Sequence, residues 1–291
     1  MKKILLLLIV PALFSCQKET KKTAALEKPE VELHKELYGN WVGDFTVKET
    51  DTTKEVEYVY SNKINILIKS IVKNKVTGQS IVAGNTTPFL GTVITVKNGE
   101  LAFELKELGN GKNNGVFTFN IKNDTLSGLW VANDKNAVVK SREFQLVKQE
   151  FKYDPTRMLP NERDYIDYYS AKRDSVTETF EDGEEISYEE STYRAASEVI
   201  TQINTSTTKL TEEDVKNLKK LELEILRNTI FARHGYTFKK KSYRQFFDPV
   251  DWYVPVSNDV SKDLTAIEKS NIALLERFEK YAEDNYDTFG R

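Results

Sequence analysis

Cysteine occurs once in the 291 residues, at Cys16, and histidine twice, at His34 and His234. A single cysteine excludes an intrachain disulfide framework and any Cys-ligated metal site. Two histidines far apart in sequence form no cluster, and a zinc site ordinarily needs three or four His, Cys or carboxylate ligands. No Gly-rich phosphate loop and no nucleophile elbow is present. The N-terminal apolar run, Ile4 to Phe14, falls short of the roughly 20 residues of a membrane span. Positive charge is not in excess, with 42 Lys and Arg against 45 Asp and Glu, so nucleic acid is not an expected partner. No cofactor and no metal is expected, and these absences favour binding over catalysis.

What is present begins with Lys2 and Lys3, the apolar stretch, and Leu13-Phe14-Ser15-Cys16. This arrangement resembles the signal peptide and lipobox of bacterial lipoproteins. The resemblance implies removal of residues 1–15 and acylation of Cys16. The mature chain would hold 40 Lys and Arg against 45 Asp and Glu, a net charge of −5. Several acyl chains on one residue anchor stably, since each buried CH2 adds about 0.8 kcal/mol. Gln17-Lys18-Glu19 is similar to the export signal of some surface-exposed Gram-negative lipoproteins. The implied location is the outer membrane, on its periplasmic or cell-surface face. Residues 16–36, rich in Lys, Glu, Thr and Pro, read as a flexible tether.

Over residues 37–148 apolar positions recur with period two, as in Trp41, Gly43, Phe45, Val47 and in Leu101, Phe103, Leu105. Asn98-Gly99 is a type I′ hairpin dipeptide, and Lys122-Asn123-Asp124-Thr125 marks a second turn. About eight strands are expected, closed into a small antiparallel barrel or folded as a sandwich. Gly39-Asn40-Trp41 resembles the G-x-W signature of lipocalin-like barrels. That resemblance implies that Trp41 closes one end of the barrel against Arg142, and that the interior takes a small apolar ligand. The alternative is a barrel filled by its own Phe and Leu side chains.

Residues 149–207 read as an acidic connector. Between Asn161 and Ile200 twelve acids face four bases, and the run Glu181-Asp182-Gly183-Glu184-Glu185 suits a solvated loop, without the spacing of an EF-hand. Residues 208–283 change to helical period, making the whole an all-β barrel followed by a small, mainly α domain, with 284–291 as a tail. Thr211 to Asp214 and Thr265 to Glu268 are capping boxes. The second helix is expected to bury Ile267, Leu274, Leu275, Phe278 and Tyr281.

The stretch Asn228-Thr229-Ile230-Phe231-Ala232-Arg233-His234-Gly235-Tyr236 reads as a helix end. With His234 at Ccap, Gly235 takes the left-handed C′ position of a Schellman stop, Phe231 and Tyr236 make its apolar contact, and Arg233 meets the negative end of the helix dipole. With Leu226-Arg227, Phe238, Phe246-Phe247, Trp252-Tyr253 and Ile267 to Asn271, these residues resemble the YARHG domain, a bacterial extracellular module of no established activity. Position 231 is Phe where the family name has Tyr. Arg233, His234, Tyr236, Lys239, Lys240, Lys241 and Trp252 are candidates for binding an anionic glycan, phosphate or peptide. The leading expectation is non-catalytic binding at the envelope, to a glycan, cell-wall component, peptide or small apolar ligand. A hydrolase pairing His234 with Glu222, Glu224 or Asp248, and a purely structural envelope protein, are the alternatives.

Overall fold

Alternating apolar residues can be buried on one side only if the strands share a sheet, and closing that sheet removes its edges. In the computed structural model, which describes residues 31–54, 61–96 and 99–284, the chain adopts this solution. Cys16, most of the tether, Asn98 of the expected first hairpin and nearly all of the tail lie outside the described residues. The strands are β1 (Gly39–Thr50), β2 (Asn62–Val72), β3 (Lys75–Val82), β4 (Asn85–Thr95), β5 (Leu101–Glu107), β6 (Gly115–Lys122), β7 (Thr125–Ala132) and β8 (Val139–Gln149). Each pairs antiparallel with the next, and β8 returns to β1 to close the barrel. Asn123 and Asp124 both take positive φ, 49° and 56°, as the type I′ turn between β6 and β7 requires.

The inward positions fill much of the lumen. Phe103 and Phe119 stack with centroids 4.8 Å apart, and Phe45, Phe117, Phe144 and Trp130 contact one another at 5.8 to 6.3 Å. Fully burying each such side chain stabilises by about 1.5 to 3 kcal/mol. The expected Trp41–Arg142 closing pair does not form. Trp41, buried in the core, sends its indole N–H to Leu37 O at 2.9 Å, in the 3-10 turn Lys35–Leu37 that precedes β1. Arg142 is registered opposite Val47, six residues further along β1, so strand register keeps the two side chains apart.

The acidic connector is more ordered than a loop. It forms a long hairpin of β9 (Tyr165–Thr179) and β10 (Glu185–Ala196), because strand-favouring Tyr, Thr, Val and Ile are interspersed among the acids. The acidic run itself occupies the exposed turn, with Gly183 at φ 85°. The base of the hairpin joins the helical core, since Tyr165 and Ile200 are buried with residues of the helices. Those helices are α1 (Glu212–Val215), α2 (Lys220–Arg233), α3 (Lys241–Phe247) and α4 (Ala266–Glu279). The inward face of α4 is Glu268, Asn271 and Leu275. Ile267 and Tyr281, expected inside, are exposed, Tyr281 by 79%. Among the described residues no helix is long and apolar enough to cross a membrane.

The helical domain rests on β2. Lys63 Nζ donates to Val250 O at 2.5 Å and Tyr253 O at 3.1 Å, and its backbone N–H donates to Asp248 Oδ2 at 3.1 Å. Asn65 Nδ2 donates to Pro255 O at 2.8 Å. Burial pushes the Asp248 carboxyl up to about 7, against the opposing pull of the Lys63 N–H and of the Arg244 and Lys63 charges. Burial likewise lowers Lys63, with Asp248, Asp44 and Asp251 working against it.

Candidate functional site

The helix end at residues 231–236 closes as its sequence dictates. Tyr236 N–H reaches Phe231 O at 3.0 Å and Gly235 N–H reaches Ala232 O at 2.9 Å, the paired bonds of a Schellman motif. The Phe231 and Tyr236 rings meet at 5.9 Å. Gly235 O then accepts from Val256 N at 2.8 Å and Ser257 N at 3.1 Å, which fastens the following loop onto the stop.

Arg233 and His234 turn inward from this stop, 3% and 5% exposed. Arg233 Nε donates to Arg157 O at 2.8 Å, and its NH1 donates to Ser206 Oγ at 3.0 Å and Thr205 Oγ1 at 3.2 Å. Burial draws this guanidinium down to about 10, although Glu268, Tyr153 and Asp154 favour its charge. His234 Nε2 lies 2.8 Å from Glu268 Oε2, which also accepts from Thr265 N at 2.9 Å, while Oε1 accepts from Tyr153 OH at 3.0 Å. Burial would raise the Glu268 carboxyl. The bonds from His234 and Thr265 override it and hold the group at about 2. Glu268 is therefore a carboxylate, and the imidazole donates to it. Tyr153 stacks on His234 at 4.2 Å and 17°, and its phenol is pushed up to about 12 by burial and by Glu268. His234 thus pairs with Glu268 rather than with Glu222, Glu224 or Asp248, each of which is engaged elsewhere. With three donors on Glu268, the node reads as architecture: it ties α2, α4 and the segment after β8 together.

The remaining binding candidates are dispersed. Lys239 packs against Gly84 at the β3–β4 turn, Lys240 Nζ lies over the Tyr243 ring at 5.3 Å, and Lys241 Nζ lies over the Tyr169 ring at 5.8 Å. Tyr236, Lys239 and Lys240 border one surface hollow. Trp252 borders another beside Arg233, and its indole donates to Met158 O at 2.8 Å. Burial of Arg233 and His234 therefore separates them from the exposed lysines, and the expected common patch does not form. Among the described residues no group of three or more His, Cys, Asp or Glu could hold a metal ion.

A different place in the molecule has the features of a ligand site. The barrel mouth holds a cavity of about 720 Å3, within the 300 to 1,000 Å3 range usual for small-molecule pockets. Phe45, Phe117 and Trp130 line it with Val82 and Val138, and two charged side chains reach it from the strands, Glu107 and Arg142. Glu107 is fully engaged: it accepts from Ser80 Oγ at 2.5 Å, Gly115 N at 2.8 Å and Trp130 Nε1 at 3.1 Å. Arg142, 8% exposed, donates from NH1 to Phe45 O at 2.7 Å, and its guanidinium lies 5.1 Å from the Phe45 ring centroid. No carboxylate lies within ion-pair distance of Arg142 among the described residues. Burial lowers Arg142 to about 10, and the nearby charge of Arg244 adds to the effect.

Glu107 was legible in principle. It continues the inward series Leu101, Phe103, Leu105, just as Arg142 precedes the inward Phe144 and Leu146. Arg244 carried no such signal, because its bond to Asn62 of the cavity wall comes from α3, whose docking on the barrel no local pattern encodes.

No curated protein and no solved structure matches the chain. Residues 197–280 match the family model of the YARHG domain, a span that takes in α1 to α4, Arg233, His234 and Glu268, and the chain therefore carries a YARHG domain after an eight-stranded antiparallel β-barrel.

Proposed function

We propose that this protein is a non-catalytic binding protein of the bacterial envelope, held at the membrane through Cys16, whose ligand site is the barrel mouth. One observation carries the reading: a barrel otherwise packed with its own Phe and Leu side chains keeps an aromatic-walled cavity of about 720 Å3 at one end. Three large aromatic faces suit a small apolar or aromatic ligand body, with Asn62, Asn85, Asn113 and Asn136 among the polar residues around it. Against a hydrolase stands the burial of His234, whose ring is committed to Glu268 and Tyr153.

N-phenyl-1-naphthylamine, a neutral apolar fluorophore, is expected to bind the full chain at one equivalent. Ala137→Trp, which places an indole at the cavity wall, is expected to weaken it at least tenfold. Absence of dye binding, or equal binding by the variant, would remove the basis for the site. The anchor is a separate test: Cys16→Ala is expected to shift the protein from the membrane fraction to the soluble fraction, and retention at the membrane would refute acylation at this residue.

A further inference from the structure

We infer that the barrel mouth, taken as the binding site just proposed, selects an amphipathic anion, and that its headgroup is clamped between two arginines, Arg142 of β8 and Arg244 of α3. The first observation is Arg142 itself. A guanidinium carries five donors and costs much to bury unless they are met. Arg142 is more than nine-tenths buried and faces the cavity, yet its protein partners are one backbone carbonyl and the face of Phe45. The one buried carboxylate that lines the same cavity, Glu107, spends its oxygens on Ser80, Gly115 and Trp130.

The second observation comes from the YARHG domain. Arg244 NH1 donates to Asn62 Oδ1, and Asn62 lines the cavity. Arg244 Nε is buried and has no hydrogen-bond partner. Its positive charge is felt by Arg142, so two like charges lie near each other behind the cavity wall that Asn62 forms. Asp248, near Arg244, accepts from Lys63 N–H. Asp134 and Lys112 on the wall are of opposite sign. An anion placed between the guanidiniums would satisfy unused donors and relieve the repulsion at once, and the planar fork of Arg suits the oxygens of a carboxylate, phosphate or sulfonate. The ligand body would then lie over Phe45, Phe117 and Trp130.

This arrangement gives the YARHG domain a share in the barrel's site: it supplies one of two headgroup contacts. The test compares 8-anilino-1-naphthalenesulfonate with its desulfonated analogue N-phenyl-1-naphthylamine on the full chain. The sulfonate is expected to bind about tenfold more tightly, with an advantage that shrinks as salt is raised. Arg142→Gln and Arg244→Gln are each expected to lower the ratio of the two affinities about tenfold. Arg244→Gln, at a half-buried position, keeps the test open if Arg142→Gln does not fold. If the neutral dye binds and Ala137→Trp expels it, but the sulfonate has no advantage or neither arginine changes the ratio, the clamp is overturned and the barrel site stands. If neither dye binds, both readings fall. Sulfonate binding that survives Ala137→Trp also overturns the clamp, since it places the anion elsewhere.

Discussion

Glu268→Gln is expected to destabilise the helical domain by about 3 kcal/mol near neutral pH, with a deficit that fades in acid. The carboxyl of Glu268 is 0% exposed and is held at about 2, against an ordinary value of 4.5. Each pKa unit corresponds to about 1.4 kcal/mol, so the depression contributes about 3 kcal/mol. The sign follows from the direction of the shift. A carboxylate depressed in the folded state contributes stability that is complete above the unfolded value and is lost as pH falls toward the folded one. The gap between the parent protein and the variant should therefore be full at about pH 6 and shrink between about pH 4.5 and 2. Asp248 works in the opposite sense. Its raised carboxyl, at about 7, favours the fold below about pH 4 and withdraws that contribution as pH rises through 7, so the two windows are separable. Urea denaturation followed by the helical circular dichroism signal reads the effect, since the described α-helices all lie in this domain. A gap that stays constant from about pH 6 to pH 3, or one below about 1 kcal/mol, would show that the ion pair does not hold the node together.

The node also shows where the sequence was informative and where it was not. Thr265 and Glu268 were legible as a capping box, because that motif is local and its two bonds form within one turn. That the same carboxylate would receive His234 from 34 residues away was not legible, since the pairing depends on how α2 and α4 pack. For the same reason α4 misleads a reader of apolar periodicity. Its buried face carries Glu268 and Asn271, which are bonded into loops, with Asn271 Nδ2 donating to Thr205 O and Thr208 O. Ile267 and Tyr281 are left outside. Period two served the barrel far better: a strand has only two faces, so parity alone places Phe103, Phe119 and Phe144 inside. The Trp41–Arg142 expectation failed at the next level, register, which the parity of single strands does not set. The candidate site combines both cases. Its aromatic wall and Arg142 lie on predictable inward positions, whereas Arg244 arrives by domain docking.

Gly235→Ala is expected to cost about 2 to 5 kcal/mol, and comparison with Gly183→Ala separates the two reasons. Both glycines have left-handed backbones, at φ 71° and 85°, where an L side chain is disfavoured by about 1 to 2 kcal/mol. At Gly183, in the exposed hairpin turn, a Cβ meets nothing within 4 Å, so Gly183→Ala should show the backbone term alone. At Gly235 the Cβ would lie 2.5 Å from Val256 Cγ2, 2.8 Å from Phe151 Cε2 and 2.9 Å from Val254 O. The last is a backbone atom beside the bonds that Gly235 O accepts from Val256 and Ser257 N–H. It cannot retreat without loosening the loop that carries Tyr253 onto Tyr236 O and Lys63. Overpacking of this kind adds about 1 to 3 kcal/mol to the backbone term. A urea midpoint for Gly235→Ala no lower than that for Gly183→Ala would show that the loop yields freely. The left-handed stop would then be the whole reason for glycine after His234, and the contact between helix end and loop would have no part in it.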